Sequence, residues 1–241
     1  MPEDKIISSF FGGIGDNLQF STLPRRFTEL GHKVYLSDKC AFRNPEIQTL
    51  CWLDNPYILG ETDQPSNCGD AHGLVIRHSE HGFLYDWEVA HNLPAPYSKY
   101  PEIYYVPKTI KEVENNILLD VTGTSATIQG VYDSIKLAHF LKEHYAKECI
   151  TVCLFQEGIS HPILLLDGYD MIFVKDIFHY TDLIFSCKKF VCLHSGGMVL
   201  TSALKRQKNI DCDCLVTLHP IHVNGFNNKH HFYDNINYIW I

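Results

Sequence analysis

The stretch from Ile6 to Pro24, IISSFFGGIGDNLQFSTLP, constrains this chain more than any other: an apolar, strand-like segment runs through a glycine-rich turn into a helix. Gly12, Gly13 and Gly15 permit the backbone conformations and close approach that a tight strand-to-helix turn demands. The first N–H groups of a helix lack intrahelical acceptors, so this turn presents donors that suit an anion. Asp16 sits among them, where the helix dipole favours its ionised form and a substrate hydroxyl could reach it. Its second reading is a plain cap ahead of Leu18, Phe20, Leu23 and Phe27.

The alternation continues along the first half. The pattern predicts a strand over Lys5 to Phe11, a helix over Leu18 to Leu30 ended by Gly31, and a strand over Lys33 to Ser37. Strands joined through a helix return parallel, so the opening predicts a parallel sheet. A short helix over Pro45 to Leu53, strands at Tyr57 to Leu59 and Gly73 to Ile76, and a helix over Phe83 to Asn92 fit the same scheme. Leu93 to Lys108 then brings four prolines and four tyrosines, a density that resists helix interior and central strand alike. It reads as an extended connector, or alternatively as a surface loop within one domain.

The second half restarts the pattern. A strand over Asn116 to Val121 ends in the small polar turn Thr122-Gly123-Thr124-Ser125, and a helix follows from about Gly130 to Tyr145. Strands at Ile150 to Phe155, Met171 to Val174 and Phe190 to Leu193 and a helix at Tyr180 to Ser186 lead to His194-Ser195-Gly196-Gly197, which opens a helix from Met198 to about Arg206. The expected architecture is α/β: a Rossmann-like domain over residues 1–95 and another over 109–241, facing each other across a cleft, with a ligand at the carboxyl edges of the sheets.

Composition excludes several function classes. With 45% apolar and 20% charged residues the chain is neither disordered nor membrane-spanning, and no run approaches the length of a bilayer helix. The start, MPEDKII, lacks the features of a signal peptide, so a cytoplasmic location is expected. A formal charge of −8 without a basic stripe disfavours nucleic acid. Nine cysteines read as small buried hydrophobes, and the close pair Cys212-Asp-Cys214 has no second pair at zinc spacing. His230 and His231 lie in a polar tail, and Asp211-Cys-Asp213 precedes a strand rather than following one. No metal site and no cofactor are expected.

Two stretches carry a resemblance. Gly15-Asp16-x-Leu18 followed by Leu23-Pro24 stands in the first half; Tyr180-Thr-Asp-Leu183, Phe190-Val-Cys-Leu-His-Ser-Gly-Gly197 and Ala203-Leu204 stand in the second. Together they resemble the bacterial lipopolysaccharide heptosyltransferase family of glycosyltransferases, which has the two-domain GT-B architecture. The resemblance implies transfer of a sugar from a nucleotide-activated donor to a glycan or other hydroxyl acceptor, with Asp16 as general base and the helix after His194 receiving the diphosphate. The family's acidic residue before Ser/Thr-Gly is His194 here, its following histidine is Val199, and its basic residue near the donor phosphates has no counterpart in Thr122 to Gln129.

On this reading Gly15, Thr122, Gly123, Thr124, Ser125, His194, Ser195, Gly196 and Gly197 surround the donor diphosphate. Glu157 and Asp176, each after a strand, stand where a nucleoside is read by hydrogen bonds, or else are solvated loop carboxylates. Arg77, His78 and His81 line the acceptor side. His194 either assists the leaving group in place of a metal or is a satisfied strand-end histidine. Two other classes compete. Gly13-x-Gly15 with Asp38 after the next strand is part of a dinucleotide fingerprint of NAD-type oxidoreductases, although its third glycine falls on Leu18. A non-catalytic sugar- or nucleotide-binding module keeps the same turns without the chemistry.

Overall fold

The computed structural model describes residues 2–70, 80–120, 131–146, 149–155, 168–227, 229 and 231–241. The chain divides into two compact units, Met1–Val106 with Gly225–Tyr233 and Pro107–Asn224 with Asp234–Ile241. Each has its own parallel sheet among the described residues, and no strand is shared between the two.

In the first unit, β1 (Lys5–Ser8), β2 (Val34–Ser37), β3 (Glu61–Thr62) and β4 (Cys68–Gly69) pair in parallel in the order β3-β2-β1-β4. The helix expected over Leu18 to Leu30 is two helices, α1 (Ile14–Leu18) and α2 (Leu23–Glu29). Pro24 is the reason: it has no N–H to give and its ring clashes with the carbonyl four residues back, so it fits only in the first turn of a new helix. Gly31 ends α2 in a left-handed conformation, with φ of +84° and the following His32 N–H donating to Phe27 O at 3.1 Å. The helix at Pro45 begins as α3 (Pro45–Gln48) and continues as a π-helical turn over Thr49–Leu53. The strand expected at Tyr57 to Leu59 falls instead at Glu61–Thr62, beyond Gly60, and the strand expected at Gly73 to Ile76 lies outside the described residues. Helix α4 (Phe83–Ala90) follows.

The proline-rich connector forms no regular element, yet it goes with the first unit as far as Val106 because buried carboxylates fasten it there. Glu102 takes the Arg25 guanidinium at 2.9 and 3.2 Å and the Tyr104 hydroxyl at 2.8 Å, while its N–H donates to Ser21 Oγ at 2.8 Å. Glu88, fully buried on α4, accepts from Thr22 Oγ1 at 2.8 Å and from the Ser98 N–H at 3.0 Å and pairs with Arg26 at 3.5 Å. The polar tail expected around His231 is a returning segment of this unit: His231 Nε2 meets Gln19 Nε2 at 3.0 Å, its ring packs 4.8 Å from Phe83, and Phe232 and Tyr233 are buried.

The second unit contains β5 (Ile117–Asp120), α5 (Ser134–His144), β6 (Ile150–Phe155), β7 (Asp170–Val174), α6 (Ile177–Ser186), β8 (Lys189–Leu193), α7 (Gly196–Leu204), β9 (Asp211–Val216), α8 (Pro220–Asn227) and β10 (Asn237–Trp240). Its parallel sheet has the order β10-β9-β8-β5-β6-β7. Asp133 caps α5 by accepting from the N–H groups of Ile135 and Lys136, and Leu137 and Leu141 of that helix pack on Leu119, Val152, Val191 and Leu215 of the central strands. The boundary between units at Asn224 and Gly225 falls within α8. Asp211 and Asp213 stand within β9 rather than before a strand, at its amino end, where Lys189 bridges them at 3.3 and 2.6 Å and Tyr145 donates to Asp213 at 2.9 Å. Cys192, Cys212 and Cys214 are buried free thiols whose titration is pushed upward, that of Cys192 and Cys214 by burial and that of Cys212 first by its hydrogen bond with Cys192 and then by burial.

Removing the Glu88 carboxylate takes from the buried Arg26 cation the fully buried one of its two carboxylate partners, leaving it Glu29 at 3.5 Å and the Pro94 carbonyl, and strips the Thr22 hydroxyl and the Ser98 N–H of their acceptor. Glu88→Ala is expected to cost about 3 kcal/mol in urea unfolding, and Glu88→Gln clearly less because it keeps an acceptor for Thr22. A Glu88→Ala midpoint within error of the parent overturns this role.

Candidate functional site

In an open parallel sheet, ligands bind beyond the carboxyl ends of the strands where the strand order reverses. The first sheet reverses between β1 and β4, and the second between β5 and β8. The glycine turn after β1 and the His194 turn after β8 stand at these two points.

At the first, β4 ends on Gly69, whose φ is +90° and whose position has no room for a side chain because a Cβ would overlap Ser8 O. The reversal is closed by the Phe10 N–H, which donates to Asp70 Oδ2 at 2.6 Å. The glycine turn is held from both sides: Arg43 N–H donates to Gly12 O at 2.9 Å, and Asn17 Nδ2 donates to Phe11 O at 3.0 Å and to Gly13 O at 2.8 Å. Asn17 itself is fully buried and takes the Trp52 indole N–H at 2.9 Å.

Asp16 lies half-buried in α1, third residue after the Gly13 N-cap, and its carboxylate accepts the Gly13 N–H. This is half of a capping box, so the capping expectation describes a real contact. A Cβ on Gly13 would come within 2.7 Å of Asp16 Oδ2, so a side chain there would displace this carboxylate. Burial raises the Asp16 pKa above the ordinary 3.8, opposed by the Gly13 N–H and by the Arg43 guanidinium. The Asp16 carboxylate thus has a proton affinity above that of a solvated one. Gly15 beside it is buried. Phe10 and Phe11 are exposed at the tip of the turn. The helix here is one turn long, so the array of free donors expected for an anion is smaller than the glycines suggested.

Of the expected acceptor-side residues, Arg77 and His78 lie outside the described residues. His81 is exposed, 3.8 Å from Glu80, and its ring is the first of a row with Tyr85 at 4.5 Å and Tyr97 beyond it at 4.6 Å.

At the second reversal, Leu193 ends β8 and His194 and Ser195 lead directly into α7, with Ser195 as N-cap. The nine residues of α7 direct their first N–H groups, those of Gly196 and Gly197, along the helix axis. The His194 N–H donates to Tyr132 Oη at 3.1 Å, and the Tyr132 hydroxyl donates to Leu215 O at 2.6 Å. Gly197 is a packing requirement too: a Cβ there would overlap the hydroxyl of buried Tyr180, which donates to buried Asp120 at the end of β5. The His194 ring packs edge-on 5.3 Å from His222, which lies 5.3 Å from Tyr132. His222 Nδ1 accepts the Thr217 N–H at 2.9 Å, and burial lowers its pKa to about 4, so the ring is neutral. Thr122, Gly123, Thr124, Ser125 and Glu157 lie outside the described residues. Asp176 caps α6, accepting the His179 N–H at 2.6 Å, a contact that explains the residue without a ligand.

Tyr132, Asp120 and His222 had no signal as site residues in the sequence pattern; Tyr180 stood in the resembling stretch, but nothing there disclosed its contact with Gly197, and Thr217 and His222 follow β9, the strand expected after Asp213. Asn17 is the residue after Asp16, but nothing in its spelling discloses Trp52.

No family model and no curated protein matches this chain. Solved structures do. A glycosyl transferase family 9 protein from Veillonella parvula superposes with a TM-score of 0.65 at 9% identity, covering 99% of this chain and 85% of the other. The Escherichia coli ADP-heptose lipopolysaccharide heptosyltransferase II gives 0.60 at 13%, over 98% and 90%. The dodecameric iron-containing heptosyltransferase TibC in complex with ADP-D-β-D-heptose gives 0.61 at 15%, with 89% of this chain spanning 59% of that one. At such identities the likeness is one of fold: this chain has the α/β, GT-B type fold of these glycosyltransferases, and the resemblance in its two turns agrees with it.

Gly197→Ala is expected to lower the melting temperature, and adding Tyr180→Phe to restore part of the loss by removing the hydroxyl that the new methyl meets. Strictly additive effects would remove that contact. His222 supplies a pH dependence. Above about pH 6.5 the ring is neutral in folded and unfolded chains alike; below it the unfolded chain takes a proton that the folded chain refuses down to about 4. Stability is therefore full above pH 6.5 and falls as pH drops from there to 4. His222→Asn should flatten that part of a melting profile, and an unchanged slope counts against it.

Proposed function

We propose that this chain is a glycosyltransferase that moves a sugar from a nucleoside diphosphate donor to a hydroxyl acceptor by direct displacement, with Asp16 as general base and no essential divalent metal. The observation that carries this reading is the Asp16 carboxylate: half-buried, raised in pKa, and set at the strand-order reversal of a sheet in a glycosyltransferase fold. A base at that place needs to be ionised and yet more basic than a solvated carboxylate, and burial opposed by Gly13 and Arg43 supports that balance.

In the reaction, the acceptor O–H proton passes to the Asp16 carboxylate as the oxygen bonds to the anomeric carbon and the bond to the diphosphate breaks. Negative charge gathers on the leaving diphosphate. The first turn of α7 at Ser195, Gly196 and Gly197, together with the hydroxyls of Thr122, Thr124 and Ser125 beside Gly123, supplies donors for it. His194, beside neutral His222, contributes from the same strand end. Glu157 is the candidate for reading the nucleoside, with Asp176 secondary because its carboxylate already caps α6. Arg77, His78 and His81 are proposed for the acceptor. ADP-heptose is the first donor to test, since a structural neighbour was solved with it.

Asp16→Asn retains an acceptor for the Gly13 N–H and removes the basicity. It should fold normally and lower turnover about 10² to 10⁴-fold with donor affinity nearly unchanged. The acid limb of kcat/KM should lie above 3.8, activity falling as pH drops through it, because the base must be ionised. Transfer should persist in excess EDTA. Near-normal transfer by a folded Asp16→Asn variant, or abolition by the chelator, overturns the corresponding half of the reading; donor binding without turnover in the parent would leave a binding module, and bound NAD absorbance an oxidoreductase.

A further inference from the structure

Trp52 is fully buried, 35 positions from Asn17 in the chain, yet its one polar atom is spent there. It is brought there by the π-helical turn: Asp54 N–H donates to Thr49 O at 3.0 Å, five residues back, so the helix begun at Pro45 is widened just where Trp52 stands. Such turns are costly relative to a regular helix and recur at functional sites. The same segment starts with Arg43, whose N–H holds Gly12 O and whose charge acts on Asp16. One connection between β2 and β3 thus braces the glycine turn at both ends.

The hydrogen bonds run in sequence. The indole N–H engages Asn17 Oδ1, which leaves Nδ2 no choice but to face the carbonyls of Phe11 and Gly13, at 3.0 and 2.8 Å. Those carbonyls belong to the Phe11–Gly12 and Gly13–Ile14 peptide planes, which flank the Gly12–Gly13 plane on both sides; held between them, and by the Arg43 N–H on Gly12 O at 2.9 Å, that middle plane presents the Gly13 N–H that the Asp16 carboxylate accepts. We propose that Asn17 and Trp52 are a positioning pair, which holds the Gly13 N–H on one face of the Asp16 carboxylate and leaves the other face directed to an acceptor hydroxyl. Neither residue touches a reacting atom. The inference deepens the reading of Asp16 as the base and rests on it for its catalytic meaning, but its structural content is measurable on the chain alone.

Trp52→Phe keeps an aromatic ring in the core and removes only the N–H. It leaves Asn17 Oδ1 a buried acceptor without a donor, so the amide loses its fixed orientation. Arg43, the charged group acting on Asp16, is untouched. Carboxyl 13C titration of Asp16 by NMR should show its midpoint rising by about 0.5 to 1 unit, because a hydrogen bond to the ionised form is weakened. With a donor and acceptor in hand, kcat should fall about tenfold while both KM values stay within about twofold, as misorientation of a catalytic group predicts. Asn17→Ala should act in the same direction and serves if Trp52→Phe fails to fold. In the unmutated chain, the Trp52 indole proton and the Gly13 amide proton should both shift with the midpoint of Asp16.

A lowered melting temperature with an unmoved Asp16 titration, or an indole proton silent while Asp16 titrates, overturns the proposal. The two readings fail separately. If Asp16→Asn abolishes turnover but Trp52→Phe changes neither titration nor kcat, the base stands and the positioning pair falls. If Trp52→Phe shifts the titration while Asp16→Asn transfers normally, the pair stands and the base falls.

Discussion

The side-chain amide of Asn17 is the contact on which the first unit's site depends. A glycine-rich turn has the most backbone freedom to lose on folding, and glycine contributes no side chain to hold it. Its shape must come from outside, and here it comes from one buried amide that satisfies two turn carbonyls and is itself satisfied by an indole. The indole–amide bond is fully removed from water and the two bonds to the turn carbonyls partly so, where a missing partner is expensive, so the arrangement is held as a set. Asp16 follows directly on the turn that this set holds and closes on it through its own contact with the Gly13 N–H.

The second unit solves the same problem differently. There the turn after β8 is short and leads at once into α7, and its geometry is set by packing: Tyr180 beneath Gly197, and Tyr132 bridging the His194 N–H and Leu215 O. Two aromatic hydroxyls define the turn from the protein side and leave the helix end facing outward. His222 completes the wall as a neutral ring, kept so by burial, and so adds no charge beside the α7 end.

The connector illustrates how composition and packing divide the work. Four prolines keep Leu93 to Lys108 out of helix and sheet, which is readable from their number alone. That the segment is nevertheless ordered against the first unit depends on Glu88 and Glu102, two carboxylates that the pattern offers no reason to bury. The returning segment at Gly225–Tyr233 is similar: polar in spelling around His231, it is anchored by Phe232 and Tyr233 at its end.

By itself the sequence determined the alternation of strands and helices, the parallel pairing that follows from it, the two glycine turns and the presence of Asp16 and His194 within them. These are local matters, written in period, glycine placement and proline stiffness. It misjudged the length of the first helix, because Pro24 was read within a longer apolar stripe; it began β9 too late, after Asp213 rather than at Asp211, and it missed β10, whose first residue, Asn237, bonds Asp213 across the strands. Only the tertiary structure decided the order of strands, and hence that both turns stand at the reversals where an open parallel sheet receives a ligand. It alone joined Trp52 to Asn17, Tyr180 to Gly197 and Tyr132 to His194, because such partners are chosen by distance in space, to which residues 35, 17 and 62 positions apart carry no local signal.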